Sequence, residues 1–245
     1  MDDAIARLER ARAVDPHDAT LTVDLARAYL RAGRPLRALA VLGPLDAGER
    51  DAAGRALAAA LDLSWAGVID GTQRFTSPAT AGCPAADLVL VPGGEFLAPD
   101  DAQGRGLGRP SRGPVGVPAF LAELVPRVVS PAHPPEEAAR RGGRLPRAME
   151  WMKLWRGGLF LDGDASRRVE NPDPGRMLPG GLGHGGTAGP SPYGALFNTQ
   201  SVVERLEGGL GGVFHPSSGR YIVPSDRSGS LTPVWRAVRD VPPEP

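Results

Sequence analysis

The chain has 245 residues, enough for one large domain or two small ones, and its 28 basic and 28 acidic side chains balance. This balance gives no support to a protein that binds nucleic acid or an anionic membrane surface. The single cysteine, Cys83, excludes a disulfide within the chain and a CxxC metal site. The 33 glycines and 26 prolines predict much irregular structure, and Lys153 is the only lysine.

The first residues carry a charged helical pattern rather than the apolar core of a secretory signal. No apolar run in the sequence approaches the ~20 residues that span a bilayer. We therefore expect a soluble, cytoplasmic protein that neither inserts into a membrane nor binds nucleic acid.

Residues 1–63 are rich in alanine, leucine and arginine and are predicted to form a helical domain. The spacing of their apolar residues indicates a helix over 2–15, two helices within 19–45 that are separated at Gly33, and a fourth helix over 49–63.

A repeat runs through this helical segment. Ala38 and Leu42 recur 34 residues after Ala4 and Leu8, and this is the period of the tetratricopeptide repeat. The segment therefore resembles about one and a half tetratricopeptide repeats with a closing helix. The alternative interpretation is a generic stack of helical hairpins.

The resemblance implies a groove that binds a helix or peptide of a protein partner. The candidate groove residues, which occupy positions of the repeat pattern, are Leu25, Tyr29 and Ala38. About three repeats are needed for independent stability. We therefore expect this helical segment to be stabilised by contacts with the second domain or with a partner.

Residues 64–86 mix glycine, threonine, serine and proline and are interpreted as a linker, in which Cys83 has no chemical role.

A second domain is predicted over 87–241. The elements predicted in it are two strands joined by a turn over 87–99, a third strand within 116–126, a short helix over 134–143 and a long loop over 171–194.

The stretch RLPRAMEWMKLWRGG, residues 144–158, predicts a core helix. Pro146 suits the first helical position, and the two glycines suit a C-terminal stop. The residues that share one face, at spacings of three and four, are Ala148, Trp151, Met152 and Trp155.

The same stretch, together with Gly163 and Asp164, resembles a motif of the formylglycine-generating enzyme, or sulfatase-modifying factor, family. Four further segments stand in that family's order: LVLVPGGEFLA at 88–98, GPSPYGALFNTQSVVERLEG at 189–208, LGGVF at 210–214 and VWRAVR at 234–239. The resemblance implies a fold related to C-type lectins, with short strands, two small helices and much loop. The predicted fold class is therefore α+β, with tetratricopeptide-like helical hairpins followed by an irregular, lectin-like domain.

The prediction about activity depends on the positions at which this sequence differs from that family's pattern. Members that generate formylglycine need a cysteine pair near the C-terminus that binds copper and activates oxygen, whereas the corresponding stretch here holds Ser217 and Ser218. A serine hydroxyl cannot hold Cu(I) as a thiolate does. We therefore predict a pseudoenzyme that does not generate formylglycine and has neither catalytic residues nor a cofactor.

The histidines do not suggest a metal site either. Some relatives in that family hold iron on histidines of an added helical domain, but the helical arm here has only His17. The remaining histidines, each beside proline or glycine, are His133, His184 and His215. Calcium binding is left open for a fold of this kind. Asp162 and Asp164 are the tightest acidic pair nearby, and we assign no calcium site to them.

Three hypotheses for function remain. The leading one is a non-catalytic interaction or scaffold protein that binds protein partners. The alternatives are an enzyme with altered chemistry and a receptor for a small ligand or sugar. For the enzyme, the polar residues predicted to line the groove where the family binds substrate are His215, Ser217, Arg220, Tyr221, Asp226, Arg227 and Arg236.

Overall fold

A computed structural model describes residues 2–42, 47–69, 72–80, 82–96, 115–128, 133–156, 193, 202–209, 211–215, 220–222 and 232–244. The chain divides into two compact units. Unit 1 comprises Met1–Pro78 together with Pro242–Pro245, and unit 2 comprises Ala79–Val241.

Unit 1 contains the four predicted helices, which are confirmed: α1 (Asp2–Val14), α2 (Ala19–Arg31), α3 (Pro35–Val41) and α4 (Ala47–Ala60). The Asp18 carboxylate accepts hydrogen bonds from backbone N–H groups at the start of α2. Gly33, with φ at +72°, turns the chain before Pro35 begins α3. The side chains buried among these helices include Ile5, Leu25, Ala26, Tyr29, Ala38, Leu39, Ala53 and Leu57.

The segment interpreted as a linker begins with a β-hairpin that belongs to unit 1. Strands β1 (Ser64–Ile69) and β2 (Thr72–Ser77) pair antiparallel, with a bulge at Gly67, where φ is +101°. Gly67, Thr72 and Thr76, three of the residues that suggested a linker, therefore lie in a bulged strand and its partner. The two compact units divide after Pro78, inside the predicted linker rather than at either of its ends.

The hairpin packs against α4 through Trp65. Its indole lies directly on Gly54, where a Cβ atom would overlap the ring. The indole N–H donates to the Asp51 carboxylate at 2.5 Å, and the ring meets Phe75 edge-on at 5.0 Å between centroids. The hairpin thus packs on α4 within unit 1.

Unit 2 is built from short strands and two helices among its described residues, which confirms the predicted mixture of helix and sheet. Its strands are β3 (Ala86–Val91), β4 (Gly94–Phe96), β5 (Val115–Val117), β6 (Phe120–Glu123), β7 (Arg127–Val128), β8 (Val202–Arg205), β9 (Gly211–His215), β10 (Arg220–Ile222), β11 (Thr232–Trp235) and β12 (Val238–Asp240). Its helices are α5 (Pro134–Arg140) and α6 (Ala148–Arg156), with one 3₁₀ turn at Glu207–Gly209.

The strands of unit 2 pair over long sequence separations. Strand β6 lies between β3 and β12 and is antiparallel to both, while β4 pairs with β5. A second sheet has the order β10-β9-β8-β11-β7, in which only the β8–β11 pair is parallel. The two strands predicted within 87–99 are confirmed, but each pairs elsewhere. The single strand predicted within 116–126 is two strands, because Pro118 lacks the N–H that would continue the ladder.

Helix α6 contributes to the core of unit 2, as predicted for Trp151. The N–H of Arg147 donates to the Glu150 carboxylate at 2.8 Å and so caps the first turn. Pro146 therefore lies before the helix rather than at its first position, which corrects the prediction. The buried cluster around α6 contains Val89, Val91, Phe96, Phe120, Ala122, Trp151, Met152, Leu154, Tyr193, Leu206 and Val238. The Trp155 side chain, Gly157, Gly158 and nearly all of the predicted loop lie outside the described residues.

Candidate functional site

Unit 1 presents an exposed face on one side of α2 and α4. Helical spacing places the exposed side chains of each helix in line, and the Arg27 guanidinium joins the two helices through an ion pair of 2.6 Å with Glu49. We define the α2–α4 face by the residues Asp24, Arg27, Arg31, Glu49, Ala52 and Ala56. This face combines charges of both signs with small side chains, which let another chain approach α4 closely.

The residues predicted to line the repeat groove lie inside the helical stack instead. Leu25, Tyr29 and Ala38 are all buried. The repeat pattern marks positions at which consecutive helices pack, so it identifies the interior of the stack rather than its binding surface. The residues of the α2–α4 face were missed because the pattern leaves such positions unspecified.

Tyr29 illustrates this packing role. Its hydroxyl donates to the Glu9 carboxylate on α1, and the Arg37 guanidinium of α3 lies 5.9 Å from the centre of its ring. Burial, and then the hydrogen bond to Glu9, raise the pKa of the Tyr29 hydroxyl to about 12. Tyr29 therefore holds three helices together.

The start of α3 is capped by a residue from the far end of the sequence. Arg34, at the N-cap position, makes no side-chain capping bond. Instead, the Glu244 carboxylate accepts hydrogen bonds from the backbone N–H of Leu36 and, at 2.9 Å, of Arg37. No local signal predicts a contact that spans more than two hundred residues, and sequence reasoning missed it.

In unit 2, two residues of the RLPRAMEW stretch pair with each other. The Arg144 guanidinium donates to both oxygens of Glu150, at 2.8 and 2.6 Å, and also to Asp240 at 2.5 Å. The hydrogen bond to Glu150 raises the pKa of Arg144, and the hydrogen bond from Arg144 lowers the pKa of Asp240. Arg144 thereby ties the start of α6 to strand β12.

A second pair joins residues of two other motif segments. Arg236 is fully buried, with 0% of its surface exposed. Its guanidinium donates to both oxygens of Glu204 and, at 3.1 Å, to the backbone carbonyl of Glu123. Arg236 was predicted to line a substrate groove, but its side chain lies in the interior and its charge is matched by Glu204. Arg236 therefore ties β6 and β8 to the connection between β11 and β12.

Three of the other predicted groove residues lie on strands β9 and β10. Strand pairing places His215 opposite Arg220, and Tyr221 opposite Phe214, between β9 and β10. The side chains of His215, Arg220 and Tyr221 lie outside the described residues, as do Ser217, Asp226 and Arg227. The groove itself stays a prediction.

Within the described ranges, no group of three or more His, Cys, Asp or Glu side chains is placed to hold a metal ion. His17 and His133 are exposed, and Cys83 is buried beside Thr80. Asp162, Asp164 and His184 lie outside the described residues.

In the part of the chain that is described, every helix is too short or too polar to cross a lipid bilayer.

Comparison with known families identifies the N-terminal segment. Residues 1–61 match the family model described as tetratricopeptide repeat, which confirms the repeat predicted over 1–63. Searches of curated proteins and of solved structures each returned no significant match. The match covers α1 to α4 and stops before the β1–β2 hairpin, so it identifies the helical part of unit 1 and leaves the resemblance of unit 2 as a prediction.

Proposed function

We propose that the protein is a non-catalytic interaction protein in which unit 1 binds a segment of a protein partner and unit 2 serves as a scaffold. The observation that carries this proposal is the tetratricopeptide match over residues 1–61, together with the folding of those residues into four packed helices. Helical stacks of this type bind partner helices or peptides on an exposed helical face.

The α2–α4 face is the surface that we assign to the partner. The consensus residues Leu25, Tyr29 and Ala38 are committed to packing, so recognition falls to exposed side chains. Arg31 is exposed and is available for a carboxylate of the partner, while Ala52 and Ala56 leave room for a helix to lie along α4. The partner segment that fits is an amphipathic helix or peptide with acidic residues beside a small apolar stripe.

For unit 2 we propose a degenerate sulfatase-modifying factor domain of the C-type-lectin kind. Two observations support this. Motif residues pair with one another, as Arg144 does with Glu150 and Arg236 with Glu204, and the described residues of the unit form short strands with two small helices. The sequence holds no cysteine after Cys83, so the chain lacks the C-terminal thiolate pair on which the copper chemistry of the catalytic members depends. Unit 2 is thus proposed to act through its surface.

Affinity capture with matched variants tests the assignment to the α2–α4 face. The tagged chain is expected to retain a stoichiometric protein partner. The double variant Arg31→Glu, Ala56→Arg reverses a charge and adds bulk on the face without removing a buried contact, and it should lose that partner. Arg10→Glu, an equal charge reversal at an exposed site on α1, should retain it.

Two results would count against the proposal. One is the absence of any stoichiometric partner for the wild-type chain. The other is equal retention by the wild type and by the double variant, provided that circular dichroism shows both to be folded.

A further inference from the structure

Lys153, the only lysine of the chain, is sealed inside unit 2. It lies on α6 with 0% of its surface exposed. Its ammonium Nζ donates to the backbone carbonyl of Pro92 at 2.6 Å and to that of Gly94 at 3.0 Å. Pro92 lies in the turn that connects β3 to β4 and Gly94 is the first residue of β4, so a side-chain amine holds this turn against α6.

The turn is held from its other side as well. A Cβ atom on Gly93 would lie 3.0 Å from the backbone nitrogen of Ala119, so this turn packs closely against the connection between β5 and β6. The turn therefore cannot move back to give a reagent access to Nζ. Access requires that α6 and the turn separate.

The stretch of α6 around Lys153 is buried. The neighbours of Lys153 on α6, Trp151, Met152 and Leu154, are buried in the hydrophobic cluster. Within the described residues, the two carbonyls are its hydrogen-bond partners and no carboxylate pairs with it. Burial lowers the pKa of the Lys153 ammonium to about 8. A substantial share of the amine is therefore neutral in mildly alkaline solution, and what prevents its reaction is enclosure rather than protonation.

We propose that Lys153 is a conformation-gated acylation site, closed while unit 2 is folded and open to acyl thioesters or active esters once α6 separates from the β3–β4 turn. In the reaction, the Nζ lone pair attacks the acyl carbon and an N–C bond forms. The bond from that carbon to the leaving sulfur or oxygen breaks, the leaving group departs as a thiol or alcohol, and the ammonium proton passes to solvent.

Acylation also prevents the site from closing again. An acylated Nζ carries one N–H in place of three and has no positive charge, so it cannot serve both carbonyls. The acyl group needs space in a position that is fully enclosed. The modification therefore traps the opened form, and it marks molecules whose unit 2 has opened.

Amine labelling of the full chain tests this proposal with a matched control. The chain is treated with the N-hydroxysuccinimide ester of acetic acid, in native buffer and in concentrated guanidinium, and peptide mass spectrometry follows acetylation at position 153. The variant Arg140→Lys places a second amine on α5 of the same unit, at a side chain that is 58% exposed, and reports the rate without protection.

We expect native Lys153 to react at least about 100-fold more slowly than position 140, and to match it in guanidinium. This ratio should not shrink when the pH is raised from about 7 to about 8.5, because Lys153 reacts through the opened form, in which its amine has the pKa of an ordinary exposed lysine. Labelling of native Lys153 within about tenfold of position 140 would overturn the proposal. So would a chain that is acetylated at Lys153 and, after removal of guanidinium, recovers the near-ultraviolet circular dichroism of the unmodified protein.

Discussion

Units 1 and 2 use charged side chains in opposite ways. In unit 1, the pair of Arg27 and Glu49 lies at the surface, and the side chains buried among the helices include Ala26, Ala38 and Leu57. In unit 2, Arg236 and Glu204 are buried together. The helical part of unit 1 packs through side chains of elements that are close in sequence, whereas unit 2 adds to its hydrophobic cluster ion pairs that join segments distant in sequence.

Removal of the buried cation should produce the largest loss. Arg236→Met leaves the Glu204 carboxylate enclosed without its partner, and we expect a loss of about 3–5 kcal/mol in the free energy of unfolding. The matched change in unit 1, Arg27→Met, breaks an exposed pair and should cost less than about 1 kcal/mol. Denaturant unfolding measures both, with hydrogen exchange to locate the change. If the two substitutions cost the same, the contrast between the units is wrong.

Alkaline pH should affect the two units with opposite sign. The folded-state pKa of Lys153, about 8, lies below its ordinary value of 10.5, so the unfolded chain binds more protons between these values and the stability of unit 2 rises with pH by about 3 kcal/mol. The folded-state pKa of Tyr29, about 12, lies above its ordinary value of 10.0, so the contribution of this residue to unit 1 is lost as pH rises through that range.

Hydrogen exchange at a series of pH values measures these slopes in each unit. Lys153→Met should abolish the rise in unit 2, and Tyr29→Phe should reduce the fall in unit 1. A slope in unit 2 that is unchanged by Lys153→Met would show that the amine is not the group responsible.

The contact between α4 and the hairpin gives a test within unit 1. Gly54→Ala places a methyl group in the Trp65 ring and should cost about 1–3 kcal/mol through overpacking, despite the better helix propensity of alanine. Gly48→Ala, on the same helix with open space around it, should be neutral or stabilise by up to about 1 kcal/mol. Thermal unfolding of the two variants measures the difference. A neutral Gly54→Ala would mean that the hairpin does not depend on this contact.

The cap of α3 should give the smallest effect. Glu244→Gln weakens two hydrogen bonds to backbone N–H groups at the start of a short helix, and we expect a loss of about 1 kcal/mol in unit 1. Glu95→Gln, at an exposed position in unit 2, should stay within about 0.5 kcal/mol of the wild type. The difference in denaturation midpoint between the two variants reports the contribution of the cap.

The contrast between local packing in unit 1 and long-range contacts in unit 2 also explains how far the structure could be predicted from the sequence. The helices of unit 1 follow from local signals, since Gly33, Pro35 and the apolar spacing act within a few residues. Trp151 was correctly predicted as a core residue because helix α6 has its own periodicity. The β1–β2 hairpin was missed because Gly67 and the surrounding threonines give a strand the composition of a loop.

Long-range contacts explain the remaining misses. Glu204 and Arg236 are 32 residues apart, and Arg144 and Asp240 are 96 apart, so no local pattern indicates that they pair. The burial of Arg236 and Lys153 was missed for a similar reason. Charged residues are expected at the surface unless they are paired inside the protein, and the groups that pair with these two are distant in sequence. The residues of the α2–α4 face are exposed positions between consensus sites, and only the packed helices show that they adjoin.

The central claim, that a partner binds the α2–α4 face, is tested most directly by site-specific photocrosslinking. A benzophenone side chain is placed at Ala56, on the face, and in a second chain at Ala13, an exposed position on α1. Both chains are irradiated in the native host. The proposal predicts that position 56 crosslinks to one protein species and that position 13 does not. The absence of a crosslink at position 56, or the same products at both positions, would contradict it.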